Sequence, residues 1–165
     1  MSRIDTDWQP DSVEDELRSW AFSGNIKRAI AGKKGQKFLR ELEAALLAMP
    51  AKRLVSGVLV HTKETPADGD VCALGSVAVA RQMASGMTRT AAMEKVAKDF
   101  DGVNEENYSG WEIQQETAAL LKICHPLAYA VIDRNDECSA STPEERYWKV
   151  LSWVQKKLAG QPECT

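Results

Sequence analysis

Between Gln36 and Met49 the apolar residues Phe38, Leu42, Ala45, Leu46 and Met49 recur at helical spacing, with Leu39 beside them, and Pro50 ends the run. A helix with one such apolar stripe is stable only when the stripe is covered, so the rest of the chain must supply elements that pack on it. A second stripe lies near the other end of the sequence. Thr142-Pro143-Glu144-Glu145 combines a capping threonine, proline at the first helical position and glutamate three residues after the cap. Tyr147, Val150, Leu151, Val154 and Leu158 then share one face, before Gly160. Two amphipathic helices so far apart in sequence point to a mainly α fold, a compact bundle of six or seven short helices.

The stretches between them complete the bundle. Ser12 caps a helix predicted to run to Phe22, with Glu14, Asp15 and Glu16 in its first turn, where the helix dipole favours acids. A separate short piece, Gly24 to Ala31, leads into the break Gly32-Lys33-Lys34-Gly35. Residues 55–71 read as a small β-hairpin: Val55 to His61 suits a strand, and Thr65-Pro66-Ala67-Asp68-Gly69-Asp70 suits a turn. Val71 to about Ala84 is nearly all apolar and small, and its alanines favour a buried helix despite Gly75. Further helices are expected from a Thr90 cap to Phe100, from Trp111 to Cys124, and from Leu127 to Arg134.

A chain of 165 residues fits one domain, here 1–165. At that size a fold buries about 70% of its unfolded surface and needs no disulfide or metal. Residues 1–11 are expected to be flexible and 159–165 a tail. No apolar run approaches the length of a membrane span, and the polar, acidic start lacks the character of a secretory signal. The reading is a cytoplasmic protein with no membrane contact, no cofactor and no metal, whose cysteines are reduced thiols.

The net charge of −3 conceals segregation. Residues 27–53 hold eight bases against Glu41 and Glu43, a net of +6 that leaves −9 for the remainder. Glycines before a helix free backbone N–H groups to face an anion, and the dipole adds attraction. The partner-binding residues expected there are Lys33, Lys34, Gln36, Lys37, Arg40 and Arg53. This is no P-loop, because the glycine spacing differs and no Ser or Thr follows the lysine. The opposing reading is a solvated loop. The same bases also suit nucleic acid. A run of acids without an intervening base, including Asp99, Asp101, Glu105 and Glu106, offers a secondary contact.

A catalytic alternative rests on Cys72, His125 and Asn135 (or Asp136), which follow the Cys…His…Asn order of papain-like hydrolases. A small hydrolase or transferase would use the thiol at a helix start, where its pKa falls. Against it, Ala73-Leu74-Gly75 reads as core, and a free cysteine there is ordinarily a packed one. Zinc at Cys72, Cys124, His125 and Cys138 is disfavoured, since no local ligand pair exists. Asn135-Asp136-Glu137 suits a structural cap. Most of the five tryptophans are expected in the core. Trp148 and Trp153 cannot share the inner face of the last helix, so one of them should be exposed.

Several segments resemble a family of small phage- and prophage-associated bacterial proteins. They are Gly32-Lys33-Lys34-Gly35-Gln36 through Leu42, Met49-Pro50-Ala51-Lys52-Arg53-Leu54, Gly69-Asp70-Val71-Cys72-Ala73-Leu74-Gly75, Asn135-Asp136-Glu137 and Thr142-Pro143-Glu144-Glu145-Arg146. Their order spans residues 24–158. The family has no established reaction, so the resemblance implies no active site. It implies a non-enzymatic accessory protein of the bacterial host cytoplasm that binds a host protein or ribonucleoprotein, as counter-defence inhibitors such as anti-CRISPR proteins do.

Overall fold

The computed structural model describes residues 13–57, 59–61, 70–101, 103, 108–136 and 139–160. In chain order the elements are α1 (Val13–Ala31), α2 (Lys33–Ala48), β1 (Val60–His61), β2 (Asp70–Val71), α3 (Ala73–Ala84), α4 (Arg89–Asp99), α5 (Gly110–Leu121), α6 (His125–Asp136) and α7 (Pro143–Leu158). The fold is mainly helical, as the two stripes imply. Of the expected hairpin, the described residues show a two-residue antiparallel ladder, with Val60 opposite Val71 and His61 opposite Asp70, and the expected turn at 65–69 lies outside them.

The two stripes form the middle of the core. Phe38, Leu39, Leu42, Ala45, Leu46 and Met49 are all buried, as are Tyr147, Val150, Leu151 and Val154. Helix α2 packs between α3 and α7, α6 covers α3 and α7, and α5 lies on α6. Helix α1 crosses α2 and α6, and α4 rests on α3. Every helix contributes to one cluster of buried side chains. Tyr147 shows how the stripes lock together: its ring is fully buried, and its hydroxyl donates to the Leu46 carbonyl at 2.9 Å.

Local chemistry accounts for the helix ends. Thr142 Oγ1 accepts from the Glu145 N–H at 3.1 Å, with Pro143 in the first turn. The Glu145 carboxylate reaches back one residue beyond the cap, to the Ser141 N–H at 2.8 Å. Helix α5 begins with a reciprocal capping box, in which Ser109 Oγ accepts from the Glu112 N–H and the Ser109 N–H donates to Glu112. For α4 the cap is Thr88, not Thr90, with Oγ1 accepting from the Ala91 N–H at 3.3 Å.

Two further expectations need correction. Gly24 does not divide two helical pieces; α1 is continuous through it. Glycine inside a helix costs about 1 kcal/mol relative to alanine, and burial of Ile30 with partial burial of Ile26 offsets that. Nor are most tryptophans in the core. Of those described, only Trp153 is buried, whereas Trp20 is 79% exposed, Trp148 58% and Trp111 50%. The split between Trp148 and Trp153 does follow from α7 geometry. Trp8, Glu105, Glu106, Glu137, Cys138 and the segments 1–11 and 161–165 lie outside the described residues.

Candidate functional site: a basic groove

The α1–α2 corner dictates the site. Helix α1 ends at Ala31, Gly32 caps α2 through an extended backbone without a side-chain bond, and α2 starts at once with Lys33. A Cβ on Gly35 would stand 1.8 Å from the Ala29 carbonyl oxygen. The glycine therefore lets the first turn of α2 lie directly on the last turn of α1. Its role is close approach rather than the anion nest read from the sequence. No acid occupies the first turn of α2.

This corner forms one wall of an open groove of about 1000 Å³. Arg28, Lys33, Lys34 and Lys37 come from α1 and α2, and Arg81 from α3. Lys122 and Cys124 come from the turn between α5 and α6. Ala29, Phe38, Ile123 and Leu127 supply apolar lining. Six cations thus face one carboxylate, Glu41.

That carboxylate is already engaged. Arg81 grips Glu41 with two hydrogen bonds, of 2.6 and 2.9 Å, and donates to the Leu121 carbonyl at 2.6 Å. The guanidinium hydrogen bond holds the Glu41 carboxyl below its ordinary range, and the same bond raises Arg81. Arg81 so ties α2, α3 and the end of α5 together, filling an orphan helix-end carbonyl. Lys33, Lys34, Lys37 and Lys122 are left as the exposed lysine charges of the groove.

Lys122 has an unusual conformation. Its φ of 55° makes it the one non-glycine residue of positive φ among the described residues. The Ile123 N–H bonds to Ala118 O at 3.0 Å and the Lys122 N–H to Ala119 O at 3.2 Å, the paired bonds of a Schellman C-terminus. Glycine suits this position, and a lysine there costs about 1 kcal/mol. The strained turn aims residues 122–124 at the groove.

Of the residues expected from sequence, Lys33, Lys34 and Lys37 meet here. The others do not. Gln36 Nε2 donates to Ile30 O at 2.9 Å and Lys157 O at 3.3 Å, a structural tie among α1, α2 and α7. Arg40 is exposed on α2 outside the groove lining. Arg53 pairs with Asp70 at 2.6 Å, beside the ladder. The acidic run is partly absorbed locally: Asp99 pairs with Lys95 at 2.9 Å, Glu112 serves the α5 cap, and Asp101 is exposed.

The Cys72–His125–Asn135 set is not assembled. Asn135 does lie beside Cys72, since its Oδ1 accepts from the Ala73 N–H at 3.0 Å. His125 and Asn135, however, sit at opposite ends of α6, ten residues and so about 15 Å apart. The His125 Nε2 lies 3.2 Å from Gln114 Oε1, and its ring centroid 4.0 Å from that of Trp111. Burial pushes its pKa below the ordinary imidazole value. Cys72 is 8% exposed, caps α3 by accepting from the Gly75 N–H at 3.3 Å, and is pushed up to about 12 by burial. The same separation along α6 keeps Cys72 apart from Cys124 and His125 as metal ligands. Among the described residues no group of three or more metal-ligating side chains forms.

A thiol with that pKa is ionised to the order of one part in 10⁴ or less at pH 7.5. Site-resolved alkylation of the folded protein at that pH should therefore spare Cys72 and label the exposed Cys124. Labelling of Cys72 before unfolding would contradict its burial.

Among the described residues no helix is long and apolar enough to cross a membrane. No protein-family model, curated protein or solved structure matches the chain.

Proposed function

We propose that the chain is a non-enzymatic binding protein that engages an acidic macromolecule, a host protein or ribonucleoprotein, through the basic groove. The observation that carries this reading is the convergence of Arg28, Lys33, Lys34, Lys37 and Lys122 on one open concavity whose single carboxylate is already paired. Exposed lysines hold little folding energy, so their grouping serves stability poorly and an anionic partner well. The resemblance to phage and prophage accessory proteins favours a partner in a bacterial cytoplasm, with counter-defence inhibition as the proposed setting.

Replacing Lys33, Lys34 and Lys37 by glutamate tests the reading. The variant should retain the wild-type helical signal, because all three side chains are exposed. Retention of partners from host lysate should fall about tenfold or more, and wild-type retention should weaken as salt rises, since screening acts within about 8 Å at physiological strength. Unchanged retention by the folded variant would remove the groove from the account.

A further inference from the structure

Both walls of the basic groove lead into one aromatic cluster. On one wall, Cys124 lines the groove and the next residue, His125, packs against Trp111 at 4.0 Å between ring centroids. On the other, Arg28 and Ala29 line the groove, and Phe22 lies earlier on the same helix, its ring 5.6 Å from Trp111, 5.8 Å from His125 and 5.0 Å from Tyr129. Six residues of helix from Phe22 to Arg28 rise only about 9 Å, so one extended ligand can touch cluster and cations together.

Trp111 is the open member of this cluster. Half of its surface is exposed, at the first turn of α5, and its neighbours Phe22 and His125 hold it in place. Trp111 does not itself line the groove; it stands about 16 Å along α5 from Lys122, so its half-exposed indole is a stacking platform within reach of a strand that runs along the electrostatic channel. An acidic peptide would satisfy the lysines but would use the indole only where it also carried an apolar or aromatic side chain. A duplex would present its phosphates while hiding the faces of its bases. A single strand offers both at once.

We infer that the groove and the Trp111–His125 stack form one binding site for single-stranded nucleic acid, with phosphates on Lys33, Lys34, Lys37 and Lys122 and a base stacked on Trp111. This rests on the groove reading above and names the chemistry of its partner: the exposed strand of a ribonucleoprotein, or a free strand of the same chemistry. Lys122 gains a reason for its strained backbone, because it carries charge to the groove from the turn that also places the stack.

The test is fluorescence anisotropy of the full chain with a labelled deoxythymidine or uridine strand of about 15 nucleotides. The strand should bind, with log K falling against log salt at a slope near −3, about 0.7 for each of four phosphates. Trp111→Ala should weaken binding roughly tenfold to a hundredfold, and Trp111→Phe should restore most of it. Lys122→Gly should reduce the slope by about 0.7 while leaving the fold intact or firmer. Trp148→Phe, on α7 away from the groove, should change nothing. Preference for the ribose strand over the deoxyribose strand would identify RNA as the source.

A duplex bound as tightly as the strand, or a strand bound equally by Trp111→Ala and wild type, overturns the proposal. Poly-glutamate competing on equal terms with the strand overturns it in favour of an acidic protein. Failure of every strand to bind, while the triple glutamate variant still loses its partners from lysate, also overturns it and leaves the groove reading standing.

Discussion

Gly75→Ala should destabilise the protein by about 3 kcal/mol or more, lowering its melting temperature by roughly 6–12 °C. A Cβ at position 75 would lie 1.9 Å from the Leu59 carbonyl oxygen and 2.9 Å from its carbon. The obstacle is backbone, so no rotamer change relieves it. Moving Leu59 away also breaks a bond, because that carbonyl accepts the Cys72 N–H at 3.0 Å just before α3. Gly35→Ala should behave alike, with Ala29 O at 1.8 Å and Ile30 O at 3.0 Å from the new methyl. Gly24→Ala is the matched control. Nothing lies within 4 Å of its Cβ position and it is interior to α1, so the substitution should stabilise by about 0.5–1 kcal/mol. Urea midpoints of the three variants decide the matter. A Gly75→Ala protein within about 1 kcal/mol of wild type would show that α3 does not press on the 55–60 segment.

These glycines mark where sequence reasoning was strong and where it failed. Helices α2 and α7 were legible because each presents one apolar face at a fixed period, and burial follows the period residue by residue. Helix α3 offered no such contrast. Residues 73–79 are all buried, and only the small side chains of Cys72 and its neighbours hinted at helix rather than strand. Gly24 and Gly35 looked equivalent as breaks in the pattern. Both lie inside helices, but a Cβ on Gly24 would meet nothing within 4 Å while one on Gly35 would lie 1.8 Å from a backbone oxygen, a difference only the neighbouring backbone sets. Thr88 and Thr90 are chemically equal caps, and the turn with Gly86 at φ +102° selects the first. The Ser109–Glu112 box is legible in the sequence as Ser-x-x-Glu, a local signal that sets the start of α5.

The groove follows the same division. Lys33, Lys34 and Lys37 were legible because they are near neighbours on one helix start. Arg81 reaches them through packing of α3 on α2, and Lys122 follows Leu121, whose carbonyl Arg81 holds, an arrangement no local pattern encodes. Gln36 and Arg53 sat in the same basic stretch and serve structure instead, one tying three helices and the other paired to Asp70. Proximity in sequence overstated the site on one wall and left the other wall unseen.

Asn135→Ala should cost about 3–4 kcal/mol, a loss of the same order from a polar rather than a steric cause. The side chain is 2% exposed and joins three segments. Its Oδ1 accepts from the Ala73 N–H at 3.0 Å, one of the orphan donors at the start of α3. Its Nδ2 donates to Val55 O at 2.9 Å and to Asp136 Oδ1 at 2.7 Å, and that carboxylate in turn accepts from the Gly57 N–H at 3.2 Å. Alanine strips partners from a buried N–H and a half-buried carbonyl at once, each worth about 1–3 kcal/mol when left unmade in a buried setting. Asn135→Asp separates this network from simple loss of volume. The new carboxylate keeps the Ala73 bond but faces the Val55 carbonyl and Asp136, so its folded-state pKa rises above the unfolded value. The folded protein then binds the extra proton, and the variant should be more stable at pH 5 than at pH 7 relative to wild type. Equal destabilisation at both pH values would mean that Asn135 acts by filling space, and that the register between α3, α6 and the 55–57 segment is set elsewhere.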